Sequence, residues 1–353
     1  MYLVHKVLAK KNITIKATIT ATSGDNIKED SDEIILTAGQ YNYFEYYLGK
    51  DYPKDFDLDA QIEAEADTSY LGDRNAVEVV KYNKCDDYLY ITVKQVSERL
   101  GSSAKYKILY YKNNQIVDTD YSYFSNSASG LRGKGSTDVE DVWIYGIDFD
   151  RFEFIFEPTS YYYSSGKLPP LIDYYHNEYY DVVETSIYTK WGYTRVVNKV
   201  LAKKDVTISN TVIAFDNNGN VIGKEDDQIN LISGQYNYFM YSFDSSINEN
   251  TTLNMRTYVV DNPFLVGERN GVIMTDSYKD GYYLYISFEQ VVEELGTFAE
   301  FKILFYKNDK IVDVDDGYFS VYADNLTGKG TTDTVKISVL TIDFDRFEYI
   351  YEP

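Results

Sequence analysis

The sequence has few of the residues on which disulfide frameworks, metal sites and many catalytic centres depend. Its 353 residues include one cysteine, two histidines, two tryptophans and six prolines. Because Cys85 stands alone, no internal disulfide can form. His5 and His176 lack the nearby histidine or cysteine of a zinc signature, and neither recurs in the repeat described below, which disfavours a Ser-His-Asp or Cys-His arrangement. We therefore expect a protein that is not an enzyme and that uses no cofactor.

Positive charge and long apolar runs are also scarce. There are 34 lysines and arginines against 56 aspartates and glutamates, for a net charge of −22. Such a surface repels the phosphates of nucleic acids and of anionic membranes, so neither is an expected partner. No run of about eighteen apolar residues occurs, so no membrane insertion of this segment is expected.

Aromatic residues are abundant instead. The chain has 38 tyrosines and 18 phenylalanines. Tyrosine favours strands, because its amphipathic ring suits a half-buried pleated surface. Together with frequent Thr, Ile and Val and so little proline, this composition predicts an all-β protein.

An internal duplication organises the chain. The motif GQYNYF begins at Gly39 and Gly234, GKG[ST]TD at Gly133 and Gly328, and IDFDRFE at Ile147 and Ile342. The differences 234 − 39, 328 − 133 and 342 − 147 all equal 195. Further upstream, KVLAKK recurs at an offset of 193, from residue 6 to residue 199, so a two-residue insertion lies between.

Each copy divides once more into two related patterns of alternating apolar runs joined by Asn/Asp/Gly turns, which are hairpin signals. We therefore predict tandem immunoglobulin-like β-sandwiches in a duplicated A-B-A′-B′ array. The predicted ranges are 1–72 for A, 73–158 for B, 159–178 for a linker, 179–267 for A′ and 268–353 for B′. Pro169-Pro170 and the Ser/Gly-rich residues before them suggest the linker.

The two copies begin differently. Met1 aligns with Thr194, so sandwich A has no counterpart of residues 159–193. Either the sequence was cut from a longer array, which we favour, or sandwich A has one strand fewer. An incomplete sandwich leaves an unpaired edge that can recruit strands, so we expect it to be the least stable of the four or to pair with a neighbouring molecule.

An acidic strand is the first candidate site. From Asp55 to Asp67, acidic residues and one glutamine alternate with apolar ones, which predicts a strand with one charged face. Asp55, Asp57 and Asp59 are weak cation candidates. Their counterparts are Asn250, Thr252 and Asn254, however, and residues two apart on a strand lie too far apart to share one ion without help from a loop. We therefore expect a solvated strand face and no metal site.

Outward-facing tyrosines are the second candidate site. Phe44, Tyr46 and Leu48 alternate with Tyr43, Glu45 and Tyr47, and the apolar set is expected to face inward. By the same alternation Tyr41 and Tyr43 face outward, as do Tyr236 and Tyr238 in the second copy. These four tyrosines are the candidate ligand-binding residues, since exposed rings stack on sugars or on a partner's aromatic side chains. The alternative is cross-strand ring pairing that only stabilises the sheet.

Several carboxylates recur in both copies, and a glycosidase uses a pair of carboxylates. In DFDRFE, Asp148, Asp150 and Glu153 match Asp343, Asp345 and Glu348. We interpret them as salt-bridge or turn residues at the entry to the last strand. The GKGSTD motif lacks a following helical pattern, so we interpret it as a turn and not as a phosphate loop.

The stretch VVNKVLAKKDVTISNTVIAFDNNGNVIGKEDDQINLISGQYNYF resembles the FxLYD-like and related Ig-like repeats of surface or secreted proteins of Gram-positive anaerobic bacteria. The resemblance implies a non-catalytic structural or adhesive module, extracellular or in the cell envelope. Such a module acts as a spacer or as a protein- or glycan-binding array. The alternative is a carbohydrate-binding accessory segment of a larger secreted enzyme.

Overall fold

The computed structural model describes residues 1–65, 75–98, 100, 104–124, 130–158, 169–245, 247–248, 250–260, 270–296 and 298–353. The chain divides into two compact units, Met1–Leu168 and Pro169–Pro353. The division falls inside the predicted linker 159–178. Residues 66–74 and 159–168, which include the predicted A–B join and Tyr161–Tyr163, lie outside the described residues.

Sandwich A opens the first unit. Its strands are β1 (Tyr2–Leu8), β2 (Ile13–Ser23), β3 (Asn26–Leu36), β4 (Tyr41–Tyr47) and β5 (Asp57–Glu65). One sheet has the order β1-β4 and the other the order β3-β2-β5, with antiparallel pairing throughout. Ile19, Ile34 and Tyr46 meet in one core between the sheets. Phe44, Tyr46 and Leu48 belong to this core, so the inward orientation predicted for them is confirmed.

Sandwich B completes the first unit. Its strands are β6 (Val77–Cys85), β7 (Tyr88–Gln95), β8 (Lys105–Lys112), β9 (Gln115–Tyr123), β10 (Thr137–Trp143) and β11 (Arg151–Glu157). They form two sheets of order β10-β7-β6 and β11-β8-β9. Alternate residues such as Ile91 and Ile108 fill the core between these sheets, as the period of two requires.

Sandwich A′ opens the second unit. Its strands are β12 (Leu171–Ile172), β13 (Tyr180–Lys190), β14 (Tyr193–Ala202), β15 (Val206–Phe215), β16 (Val221–Leu231), β17 (Tyr236–Phe243) and β18 (Thr252–Val260). The sheets have the orders β13-β14-β17 and β12-β18-β15-β16. Residues 169–178 were predicted as linker, but β12 and the buried Tyr174 lie within them and belong to this sandwich.

Sandwich B′ ends the chain. Its elements are β19 (Val272–Asp280), β20 (Tyr283–Gln290), β21 (Glu300–Lys307), β22 (Lys310–Tyr318), the short helix α1 (Phe319–Tyr322), β23 (Thr332–Ser338) and β24 (Arg346–Glu352). The sheets have the orders β19-β20-β23 and β22-β21-β24, which match those of sandwich B. The structure thus confirms the all-β fold and the duplicated arrangement of sheets. No helix in the described part of the chain is long and apolar enough to cross a membrane.

Turn chemistry explains several of the motifs. Asn308 and Asp309, with φ of 51° and 60°, close the β21–β22 hairpin as a turn that requires two left-handed residues. Asn113 and Asn114 do the same between β8 and β9. In GKGSTD, the Ser136 hydroxyl donates to the Gly133 carbonyl oxygen at 2.6 Å, which confirms the interpretation of this motif as a turn.

Candidate functional site

In the first unit, Tyr43 lies between the two sandwiches. Its side chain is 1% exposed and packs against Leu109, Tyr111 and Ile155 of sandwich B. The Tyr43 hydroxyl donates to the main-chain oxygen of Asp120 at 3.1 Å. The prediction that Tyr43 faces solvent is therefore wrong. Its side chain does point away from the core of its own sandwich, but the neighbouring sandwich covers it.

Tyr238 repeats this arrangement in the second unit. It is fully buried in a cluster with Leu304, Tyr306 and Ile350 of sandwich B′, so the outward prediction is wrong here too. The alternation of residues along one strand shows which side chains point away from the core of their own sandwich, but not whether another domain covers them. Tyr43 and Tyr238 are interface residues, and burial raises the pKa of both phenols well above the usual range.

Tyr41 and Tyr236 are exposed, as predicted. The Lys6 Nζ lies 4.4 Å from the centre of the Tyr41 ring, and the Lys199 Nζ lies 4.3 Å from the Tyr236 ring. Each lysine therefore already contacts the ring face that a ligand would use. That these two tyrosines bind a ligand stays a prediction.

The retained carboxylates support the structure of each unit. Glu153 pairs with Lys6 across the A–B contact, and Glu348 pairs with Lys199 in the second copy. Asp148 pairs with Lys112 at 2.7 Å. These contacts confirm the salt-bridge interpretation.

The acid that follows Asp148 in the same motif has a turn role. The Asp150 carboxylate accepts a hydrogen bond from the Asn113 amide at 2.8 Å, and Asp345 accepts one from Asn308 at 2.9 Å. Each contact holds the left-handed hairpin turn against the entry to the last strand.

The acidic strand β5 is an edge strand that pairs with β2, and Asp55, Asp57 and Asp59 are exposed. The solvated face expected for it is confirmed. In the described part of the chain, no three His, Cys, Asp or Glu side chains are grouped so that they could hold a metal ion. That these three aspartates bind no cation tightly stays a prediction.

A cleft between sandwiches A and B is a site that the sequence did not predict. Its volume is about 290 Å³. It lies where β3 and β4 meet the start of β8 and the end of β9. We call it the tyrosine cleft, and its lining residues are Tyr2, Asp30, Asp32, Tyr43, Glu45, Tyr47, Lys105, Lys107, Tyr121 and Tyr123.

Four exposed tyrosines surround this cleft. The rings of Tyr2 and Tyr47, on adjacent strands, lie 5.0 Å apart between centroids with planes tilted by 43°. Tyr121 and Tyr123, both on β9, lie 6.5 Å apart at 86°. Two pairs of rings, one from each sandwich, therefore present apolar faces and hydroxyl groups to the same space.

The floor of the cleft is charged. The Lys105 Nζ lies 2.7 Å and the Lys107 Nζ 3.4 Å from the carboxylate of Glu157. Lys107 also donates to the main-chain oxygen of Tyr43 at 3.2 Å. Burial lowers the pKa of Lys107 although Glu157 acts in the opposite direction. Burial also acts to lower the pKa of the less buried Lys105, but Glu157 together with Tyr123 and Asp32 raises it above its usual value.

Carboxylates on the sandwich A side are held by the strands. Asp32 accepts a hydrogen bond from the Glu45 amide at 3.0 Å, and Asp30 accepts one from the Tyr47 amide at 2.7 Å. Glu45 accepts from the Thr119 hydroxyl at 2.5 Å, which joins β4 to β9. Each carboxylate has further acceptor capacity, so the cleft combines ring faces, acceptors and ammonium donors.

The second copy does not repeat the tyrosine cleft. Tyr47 and Tyr121 align with Ser242 and Asp316 at the offset of 195, and Tyr2 aligns with Arg195 at the offset of 193. Alternation along β4 could have indicated Tyr47, because it shares a face with Tyr43. The meeting of β4 with β9 is a tertiary feature that no single strand encodes.

The similarity of this chain to known proteins is weak. No protein-family model and no curated protein match the chain. Among solved structures, a glycosyl hydrolase family 2 member from Bacteroides cellulosilyticus is 11% identical with a TM-score of 0.17, covering 69% of this chain and 31% of that one. A beta-glucuronidase from glycoside hydrolase family 2 is 10% identical with a TM-score of 0.15, covering 65% and 23%. The chain thus spans less than a third of either protein.

Proposed function

We propose that this chain is a non-catalytic adhesive module of a bacterial surface or secreted protein, and that its first unit binds a glycan in the tyrosine cleft. The observation that carries the proposal is the meeting of four exposed tyrosines around a charged floor. The resemblance to Ig-like repeats of surface proteins supports a position outside the cell or in its envelope.

The chemistry of the cleft suits a sugar. Tyrosine rings pack against the apolar C–H faces of a pyranose, while carboxylates and ammonium groups hydrogen-bond to its hydroxyls. A volume of about 290 Å³ is at the small end of ligand sites. It is enough for one or two sugar rings.

The direct test is binding of the full chain to a glycan array, followed by calorimetry with the glycans retained. Tyr47→Ala and Tyr121→Ala each remove one ring face and should weaken binding by about two- to tenfold, since an aromatic contact contributes about 0.5–1.5 kcal/mol. Tyr47→Phe keeps the ring and should lose less. Tyr145→Ala is the control, because Tyr145 is 66% exposed but stacks on Trp143 outside the cleft.

Two results would contradict the proposal: glycan binding that survives both cleft substitutions, or binding that Tyr145→Ala removes instead. The alternative function, an accessory segment of a larger secreted enzyme, uses the same cleft. It differs only in what the rest of the polypeptide carries, so a catalytic domain in the same protein would favour it.

A further inference from the structure

A segment of the second unit closes sandwich A′ on two sides. We call residues 171–190 the strap. Its β12 adds to one sheet by pairing Leu171 with Tyr258, and its β13 adds to the other by pairing along β14. Tyr174, between the two strands, and Tyr180, the first residue of β13, are buried in the core, with ring centroids 5.8 Å and 5.9 Å from that of Phe239.

The strap also contacts sandwich B′. The Lys190 Nζ lies 2.5 Å from the Asp313 carboxylate, which is buried beneath it. The Ile311 amide donates to the Glu184 carboxylate at 3.2 Å. Strand β13 therefore completes a sheet and fixes a charged contact to the neighbouring sandwich.

The equivalent position in the first unit has no strap among the described residues. Strand β1 corresponds to β14, and it pairs there with β4 alone. The Ala9 amide and the Met1 and Ala9 carbonyl groups bond toward β4 and its flanking residues. Because backbone groups alternate along an antiparallel strand, the N–H groups of Tyr2, Val4, Lys6 and Leu8 point to the open edge.

Side-chain burial shows the same difference. Val196, Val197 and Val200 on β14 are fully buried, whereas their counterparts Leu3, Val4 and Val7 on β1 are only half-buried.

The counterpart of β5 in the second unit is β18, whose edge is covered by β12. The same edge of β5 is exposed. Ile62 is 68% exposed, while the aligned Thr257 is fully buried. Asp118, which aligns with the buried Asp313, is exposed. The edges of β1 and β5 thus carry uncovered apolar side chains where the strap lies in the second unit, and we call this surface, together with Asp118, the groove.

We propose that this groove binds a strap-type segment supplied from outside residues 1–353. The second unit specifies the chemistry of that segment. It is an extended stretch with two tyrosines that enter the core, a strand of alternating half-buried and exposed residues that pairs with β1, and a lysine that reaches Asp118. Strand addition of this kind uses main-chain hydrogen bonds for affinity and side-chain pockets for specificity.

The strap of a second copy is a weaker candidate, because that strap is already paired within its own sandwich and its exchange would gain no strand. Direct pairing of two β1 edges would bring together two chains that each carry a net charge of −22. Self-association is therefore an outcome that the test must distinguish.

The probe is a fluorescent synthetic peptide of residues 171–190, titrated into the full chain and followed by anisotropy. We expect saturable binding at one site, and a scrambled peptide should not bind. Hydrogen exchange should show that the amides of Tyr2, Val4, Lys6 and Leu8 exchange more slowly with the peptide bound. Without it, amides in Ile13–Ile19 should exchange faster than those in Ile208–Phe215.

Charge substitution tests the predicted register. Asp118→Asn should weaken binding about tenfold, since it removes a charged hydrogen bond to Lys190 of the peptide. A peptide with Lys190→Glu should bind poorly to the natural chain. Its binding should recover when the chain carries Asp118→Lys. Asp25→Asn, in the exposed β2–β3 turn, is the matched control. Val4→Pro removes one outward N–H group and should also weaken binding.

Several results would overturn the proposal. They are no saturable binding, protection that falls outside β1 and β5, no effect of the charge swap, and peptide-independent dimers that pair through β1. None of these results depends on glycan binding, because neither Asp118 nor Val4 lines the tyrosine cleft.

Discussion

The second unit should lose stability as the pH rises from about 4.5 to about 7, and Glu300 is the reason. Glu300 begins β21 and lies directly across from Glu352 of β24 in the pair register. Glu352 is already paired with the buried Lys302 at 2.5 Å. Burial raises the pKa of Glu300 from 4.5 to about 7. Lys302 acts to lower this pKa, whereas Glu352 and other nearby carboxylates raise it further.

The sign of the effect follows from linkage. Below pH 4.5 the Glu300 carboxyl is protonated in both the folded and the unfolded chain, so no penalty applies. Well above pH 7 it is ionised in both, and the folded state carries the full cost of a half-buried charge. The stability present at low pH is therefore lost between about pH 4.5 and pH 7.

The magnitude can be estimated from the same shift. An unscreened change from 4.5 to about 7 corresponds to about 3 kcal/mol. Because the side chain keeps some contact with solvent, screening reduces this to about 1–2 kcal/mol. Glu300→Gln mimics the protonated form, so at pH 8 it should raise the free energy of unfolding of the second unit by about this amount.

The assay is guanidinium denaturation monitored by pulsed hydrogen exchange with mass spectrometry. It measures the unfolding of each of the two units separately in one sample. The first unit is the internal reference, because Lys105 occupies the position of Glu300 there and pairs with Glu157. Lys105→Gln should destabilise the first unit. If Glu300→Gln has the same effect at pH 4.5 and pH 8, or none at pH 8, the reasoning fails.

Three further predictions concern packing, the acidic strand and the unit of folding. Gly223→Ala should destabilise the second unit by about 1–3 kcal/mol in chemical denaturation, because a Cβ there would clash with the buried Phe243 ring. Calorimetry should find no tight calcium site, so Asp57→Asn combined with Asp59→Asn should leave the calcium titration unchanged. Residues 159–353 expressed alone should melt cooperatively, since the second unit has its own cores.

Each of these has a clear contrary result. Gly296→Ala is the control for the glycine, because no atom lies within 4 Å of a Cβ at that position and the change should be nearly neutral. A calcium site lost on the double substitution would show that loop oxygens complete a site at β5. A non-cooperative or unfolded 159–353 fragment would show that the two copies depend on each other to fold.

Most of the confirmed predictions rest on the alternation of inward- and outward-facing residues within strands. It placed Phe44, Tyr46 and Leu48 in the core and predicted an exposed face for β5. The constant offset of 195 correctly paired the retained acids of the two copies. These features are local or repeated, so a single sequence contains them.

Two of the three errors share one physical cause. Tyr43 faces away from its own sandwich as predicted, yet a second sandwich covers it, and that contact joins residues far apart in the chain. The tyrosine cleft was missed for the same reason, because Tyr47 and Tyr121 come together only when β4 meets β9. Residues 169–178 resembled a linker because Pro169-Pro170 and a strand as short as β12 leave little periodic signal.

The contact between the sandwiches of each unit has a consequence for modularity. Asn42 bonds to Glu157 in the first unit and Asn237 to Glu352 in the second, at 2.5 and 2.8 Å. A sandwich separated from its neighbour would expose Tyr43 or Tyr238 and leave a buried carboxylate without its amide donor. The part that can be duplicated, shuffled between proteins or transplanted in engineering is therefore the A–B pair, and cutting within a pair exposes two apolar faces that the intact pair buries.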